Sequence, residues 1–309
     1  MLEPAVIVLR LAQYGGAMVL LGSSLLFLYA LPRTGTASAA GQSWTRGVLL
    51  GAALLLTITS LLQIAAQSIL LSDSVTEGLK GETLSAVVSF MPQGKAAVVR
   101  AAAALAAVLF LLALPPGRAR LVVAAGLGAI ATASLAWMGH AAATEGSLGW
   151  VHLASDVLHV LAAAVWLGAL CGFLGLLLTG PTSADAQASL HRGLATFAGV
   201  GSATVAVLIL TGLVNSWILI GPERVESLWT TPYGRLLALK LLAFAAMLGL
   251  AAANRFRLTP AFGRSLGAVA GSDAERAALR RSIAAETALG LSVLLLVAWF
   301  GTLAPPAAA

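Results

Sequence analysis

The sequence predicts an all-α fold, a polytopic membrane helix bundle with about eight transmembrane helices forming a single integral membrane domain over 1–309. Three observations predict it. Apolar types make up 59% of the 309 residues and charged types only 10%, with a mean hydropathy of +0.94. A soluble chain carries about a quarter charged residues and exposes no large contiguous apolar surface. That composition excludes a soluble enzyme and a disordered chain. The apolar residues also fall in runs long enough to span a bilayer, which needs about 20 residues per helix. Finally, the connecting segments alternate in charge.

The runs lie at approximately 5–31, 46–71, 96–114, 121–139, 150–178, 193–220, 235–254 and 283–303. The first is followed by Ala37-Ser38-Ala39, which looks like a signal-peptidase site. It lacks a basic leader, however, and is too long for a signal-peptide core, so it reads as a transmembrane helix. Alternate connections hold eleven arginines: Arg33, Arg46, Arg118, Arg120, Arg192, Arg255, Arg257, Arg264, Arg276, Arg280 and Arg281. The other connections hold Asp73, Glu77, Glu82, Glu145, Glu223 and Glu226, with Lys80, Lys95 and Arg224. The positive-inside rule makes the arginine side cytoplasmic and places both termini outside. Segment 72–95 reads as an amphipathic or partly inserted helix. Trp229 and Tyr233 suit an interfacial belt, and Asp273 to Arg281 reads as a short charged helix. The net charge of +6 reflects this loop bias and does not imply a nucleic-acid partner. No phosphate-binding G-x-x-x-x-G-K-[ST] segment occurs, and no loop is long enough for a soluble catalytic domain.

Chemistry concentrates between Trp137 and Gly168, which contains three of the four histidines. On a helix, Asp156 lies about 40° round from His152 and His159 about −20°, so the three share one face. His152 and His159 are separated by about 10.5 Å along the axis, too far to share one ion comfortably at metal–imidazole distances of about 2.0–2.1 Å. The stripe therefore reads as two levels. The outer level holds His152, joined by His140 from the end of helix four, and the inner level holds His159. Asp156 can meet either. Such groups in a bilayer mark an ion or proton path or serve interhelical hydrogen bonding. His140 and His152 also admit a simple solvated reading. A metal held by imidazole would be copper, zinc, iron or nickel. Met138 is a weak candidate soft ligand, with helix-end packing as its alternative.

Other polar residues in the spans have paired readings. Lys240 either snorkels outward or pairs with Asp156, and Arg10 has the same choice. Glu286, placed near the cytoplasmic start of helix eight, suits the helix dipole or a proton relay. Gln63 and Gln67 share a face of helix two and either line a pathway or hydrogen-bond between helices. Gly168 and Gly172 read as close helix packing, Cys171 as a small packed residue, and His191 as a solvated loop residue.

Four segments in order resemble the CopD family of bacterial copper-resistance and copper-homeostasis inner-membrane proteins. They are Gly139-His140-Ala141 with Asp156-Val157-Leu158-His159 and Trp166-Leu167-Gly168; Thr211-Gly212-Leu213-Val214-Asn215-Ser216; Tyr233-Gly234-Arg235-Leu236-Leu237 leading to Lys240 and Asn254-Arg255; and Arg280-Arg281-Ser282 with Glu286 and Pro305-Pro306. The resemblance covers roughly residues 130–306 well and the first 130 loosely. It implies a multi-pass protein of the cytoplasmic (inner) membrane that moves copper from periplasm to cytoplasm, which makes the outside location of both termini, read from the loop charges, periplasmic. A separate CopC-like periplasmic copper chaperone is the implied partner. The resemblance carries over His140, Asp156 and His159; His152 is added by geometry.

The reading is thus a non-enzymatic, lipid-embedded copper-binding protein that takes copper from the periplasmic side and moves or delivers it across the membrane. Its metal candidates are His140, His152, His159, Asp156 and Met138. Lys240, Glu286, Gln63 and Gln67 are its path candidates. An alternative from another class uses the same histidines to ligate haem b, giving an electron-transfer protein or metalloreductase. A third reading is a non-transporting membrane partner that docks the chaperone.

Overall fold

The structure, a computed structural model, describes residues 3–30, 36–144, 146–179, 183–266 and 273–308. Arg33 and Glu145 lie outside the described residues, as do the side chains of Glu3 and Ala37-Ser38-Ala39. Eight helices among the described residues are long and apolar enough to cross a membrane. They are α1 (Pro4–Ala30), α2 (Ser43–Ser72), α3 (Pro92–Ala113), α4 (Arg118–Met138), α5 (Gly146–Thr179), α6 (Ala184–Leu219), α7 (Pro232–Ser265) and α8 (Asp273–Phe300). No strand occurs among the described residues.

The helix ends follow local chemistry. Pro92 and Pro232 open α3 and α7 in the first turn, where a missing N–H costs no hydrogen bond. Thr231 caps α7 by accepting from the Gly234 amide at 3.0 Å. After α6 the chain turns at Gly221, whose φ of 76° favours glycine. Three helices run beyond their apolar cores. α6 starts at Ala184 rather than 193, α7 continues to Ser265 rather than stopping at 254, and α8 starts at Asp273 rather than 283. Backbone hydrogen bonding continues through polar residues that hydropathy rejects. Asp273 to Arg281 is consequently the first part of α8 and not a separate short helix. His191 lies within α6, not in a loop, and its ring packs on Phe262 at 6.3 Å. In α7 a widened π turn over Asn254–Leu258 immediately precedes Pro260, accommodating a proline inside the helical run.

α5 is the central helix and packs against α1, α4, α6 and α8. Its closest crossing is with α1. Gly22 and Gly168 meet there so tightly that a Cβ on either would overlap the other helix's backbone. Ser23 Oγ donates to the Gly168 carbonyl at 2.7 Å, and a π turn at Val19–Ser23 adjusts α1 to the crossing. Gly172 meets Leu26 and Phe27 one turn on. Small residues thus let the backbones approach where lipid supplies no hydrophobic drive.

With an even number of spans, both termini sit at one end, called here the termini end; the other is the arginine-rich end. Segment 72–95 forms two short helices at the termini end, Val75–Gly78 and Gly81–Phe90. The second buries Val87 against Ile64 and Ala97. Trp229 is exposed, as an interfacial residue should be. Tyr233 is not: it is buried against Phe300 at 5.2 Å and His140 at 6.0 Å, because the chain after α8 closes over it.

Candidate functional site

The histidine stripe projects from α5 into the termini half of the bundle. His152 is 1% exposed, so it is no solvated interface residue. The turn His140–Ala143 and Thr144 lie over it, with Thr144 Oγ1 2.8 Å from His152 Nδ1 and 3.3 Å from the His140 carbonyl. His140 is half-buried, with Nε2 2.9 Å from the Leu303 carbonyl. His159 Nδ1 lies 2.9 Å from Thr211 Oγ1 on α6. Asp156 Oδ1 accepts from Asn215 Nδ2 at 3.3 Å, one turn along α6 from Thr211. Ser155 Oγ donates to the Thr211 carbonyl at 3.2 Å. The α5–α6 seam thus holds the lower part of the stripe in place.

These bonds assign the protons. Thr211 Oγ1 donates its hydrogen to the Val207 carbonyl at 2.6 Å, so it accepts from His159 Nδ1–H. His159 Nε2 is then left with a free lone pair. A carbonyl only accepts, so His140 Nε2 carries its proton and Nδ1 keeps the lone pair. When Thr144 donates to the His140 carbonyl, it accepts from His152 Nδ1–H, freeing His152 Nε2. Each ring therefore has one committed N–H, and its other nitrogen has no hydrogen-bond partner among the described residues. Such outer hydrogen bonds orient imidazole ligands and fix their tautomers. Burial pushes the His140 imidazole below its ordinary pKa of 6.5. The Leu303 carbonyl opposes that shift and the Arg10 charge reinforces it. His140 is accordingly neutral, the form that ligates metal.

No group of three or more His, Cys, Asp or Glu side chains suited to one metal ion occurs among the described residues. The stripe offers ligands in succession, the two-level spacing its sequence implies. His140 and His152 are brought within electrostatic reach of each other. Asp156 and His159 both feel the charge of Lys240.

Lys240 does not snorkel. Its Nζ lies 5.7 Å from the Phe300 ring centre, inside the bundle between α7 and α8. Arg10 also turns inward, donating from Nη2 to the Met138 carbonyl at 3.2 Å. Met138 is 6% exposed, and its sulfur receives Arg100 Nη1 at 2.5 Å. Gln63 and Gln67 sit on the inner face of α2 with buried Oε1 atoms that find no hydrogen-bond partner among the described residues.

Glu286 corrects its helix-dipole reading. α8 begins at Asp273, so Asp273 and Glu275 occupy the first turn, and Glu286 lies in mid-bundle at 1% exposure. It accepts from Trp166 Nε1 at 2.9 Å and Asn254 Nδ2 at 2.8 Å. Trp166 follows His159 by seven residues, as His159 follows His152. The stripe therefore continues by two more helical turns to a carboxylate. Glu286, Trp166 and Asn254 border a cavity of about 280 Å³ that also reaches Ser202 and Arg255, themselves hydrogen-bonded. The 152/159/166 spacing was available in the sequence as a signal for this lower station. Thr144 and Arg100 carried no such signal.

Oriented imidazoles and two carboxylates, Asp156 and Glu286, set along the central helix of an eight-span bundle define a membrane protein with a polar stripe at its core. The chain belongs to the copper resistance protein D family. Residues 1–150 match the family described as "Copper resistance protein D-like, N-terminal domain" and residues 191–300 match "Copper resistance protein D". The chain is 37% identical to "Copper resistance protein D" of Pseudomonas syringae pv. tomato over 317 aligned positions, covering 98% of this chain and 97% of that one. It is 30% identical to "Inner membrane protein YebZ" of Escherichia coli (strain K12), covering 55% of each chain. It is 29% identical to "Copper transport protein CutJ" of Bacillus subtilis (strain 168), covering 55% of this chain and 28% of that one. No solved structure matches the chain.

Proposed function

We propose that this multi-pass inner-membrane protein takes copper at its termini end, on the periplasmic side, and passes it along α5 toward the cytoplasm. The carrying observation is the succession of three imidazoles, each with one nitrogen fixed by a hydrogen bond and the other left with its lone pair. Imidazole and carboxylate suit copper. Copper enters between His140 and His152, reaches His159 and Asp156, and leaves past Glu286 into the cavity beside Asn254. Each station offers few ligands, so binding is weak enough for release to the next, which a path requires and a storage site does not.

The protein is a carrier and not an enzyme in this reading. A periplasmic CopC-like copper chaperone would deliver to the termini end. The arginine-rich end faces the cytoplasm by the positive-inside rule. Family membership and the relatives' names support copper as cargo.

The test is bound copper and the visible spectrum of purified protein, measured together for wild type, His140→Ala and His159→Ala. Copper bound by the wild type and reduced in both variants is the expected result. Unchanged copper in His159→Ala would remove the inner station. A Soret band in place of copper would transfer the histidines to haem b.

A further inference from the structure

Beside the copper column, at the same end, lies a second buried polar site in which α1, α3 and the last turn of α4 meet. Two guanidinium groups converge there on Met138. Arg10 Nη2 donates to its carbonyl at 3.2 Å and Arg100 Nη1 reaches its sulfur at 2.5 Å. Arg100 is 0% exposed, yet among the described residues its Nε and Nη2 have no hydrogen-bond partner, and neither does Arg10 Nε. Tyr14 feels both arginine charges, so the two belong to one electrostatic site.

The charges do not balance. Arg10, Arg100 and Lys240 turn into this half of the bundle, and Asp156 is the one carboxylate among the described residues that turns in with them. Asp156 is hydrogen-bonded to Asn215 and makes no direct ion pair with any of the three cations. An arginine cannot shed its proton as a lysine can, and a buried charge left unpaired is strongly unfavourable. Three N–H groups on two guanidiniums lack an acceptor among the described residues, and the excess positive charge favours a negative one. A thioether supplies only a weak, uncharged one.

We propose that the site formed by Arg10, Arg100, Tyr14 and Met138 binds one small monovalent anion of the halide class. The anion accepts from Arg100 Nε and Nη2 and from Arg10 Nε, and offsets the positive field that two arginines lay across a cation path. The site does not depend on copper and is tested without it.

The probe is radiolabelled chloride, titrated against metal-free purified full-length protein in sodium gluconate with chelator present. The wild type should bind chloride saturably, one per chain, and melt at a higher temperature in chloride than in gluconate. Arg100→Gln should weaken binding by at least about tenfold, as loss of a buried charge-assisted donor does. Met138→Glu lays a carboxylate against Arg100 and should abolish chloride binding without lowering the melting temperature. That variant decides the matter if Arg100→Gln does not fold. Absence of saturable chloride binding and of a chloride-specific melting shift in the wild type would overturn the proposal, leaving water as the acceptor. Undiminished binding in Arg100→Gln or Met138→Glu would overturn it equally.

Discussion

Thr211 governs which nitrogen of His159 faces the column, through a hydroxyl whose one proton is already given to Val207. Thr211→Val keeps the shape and removes that acceptor, so copper affinity should fall by roughly 10–100-fold, the usual cost of losing an outer partner. Thr211→Ser should restore it; equal affinities across the series, measured by metal titration, would show that the tautomer does not matter. At His140 the sign of the pH effect follows from its lowered pKa. The unfolded chain protonates this histidine near 6.5 while the folded one resists. Its contribution to stability is complete above that pH and is lost as pH falls from there toward the depressed value. Melting temperature should decline on acidification through this window, and the decline should be shallower in His140→Gln. An identical slope in the variant would assign the decline elsewhere. At this scale the sequence was partly legible. Helical spacing alone puts His152, Asp156 and His159 on one face, but the bonding partners come from other helices. Thr211 and Asn215 stood out only through resemblance, and Arg100 not at all, since a lone arginine in an apolar run has no periodic signature.

The elements themselves were the most readable level, because a bilayer admits few backbone solutions. Eight spans follow from eight apolar runs. Their ends do not: α6, α7 and α8 extend into polar sequence, and the earlier start of α8 moves Glu286 from an expected helix end into mid-bundle. The α1–α5 crossing at Gly22 and Gly168 is the tightest element contact that the site depends on, since it seats the helix carrying the stripe. Gly168→Val would force the backbones apart and should destabilise the fold by about 1–3 kcal/mol. Thermal unfolding in detergent measures this, and an unchanged melting temperature would mean that the crossing is looser than described. Gly168→Val should also weaken copper binding, whereas Cys171→Ala, a half-buried residue of the same helix away from the stripe, should not.

Across the whole molecule, polar groups on α5 descend from His152 to Trp166, and α6, α7 and α8 each lend a partner: Thr211 and Asn215, Asn254, and Glu286. The sequence segments that carried the family resemblance are largely these partners, which explains why widely separated pieces of chain pointed to one function. In the proposed path Glu286 stands at the exit, not at the uptake end. Glu286→Gln should therefore slow transport while leaving copper bound at the histidines unchanged. Copper flux into proteoliposomes, comparing wild type with His159→Ala at matched protein content, tests a path along α5 most directly. Flux in the wild type and its loss by on the order of tenfold or more in the variant is the expected result, because the imidazole joining the two ends of the proposed path is gone. Equal flux in both would contradict a path along α5.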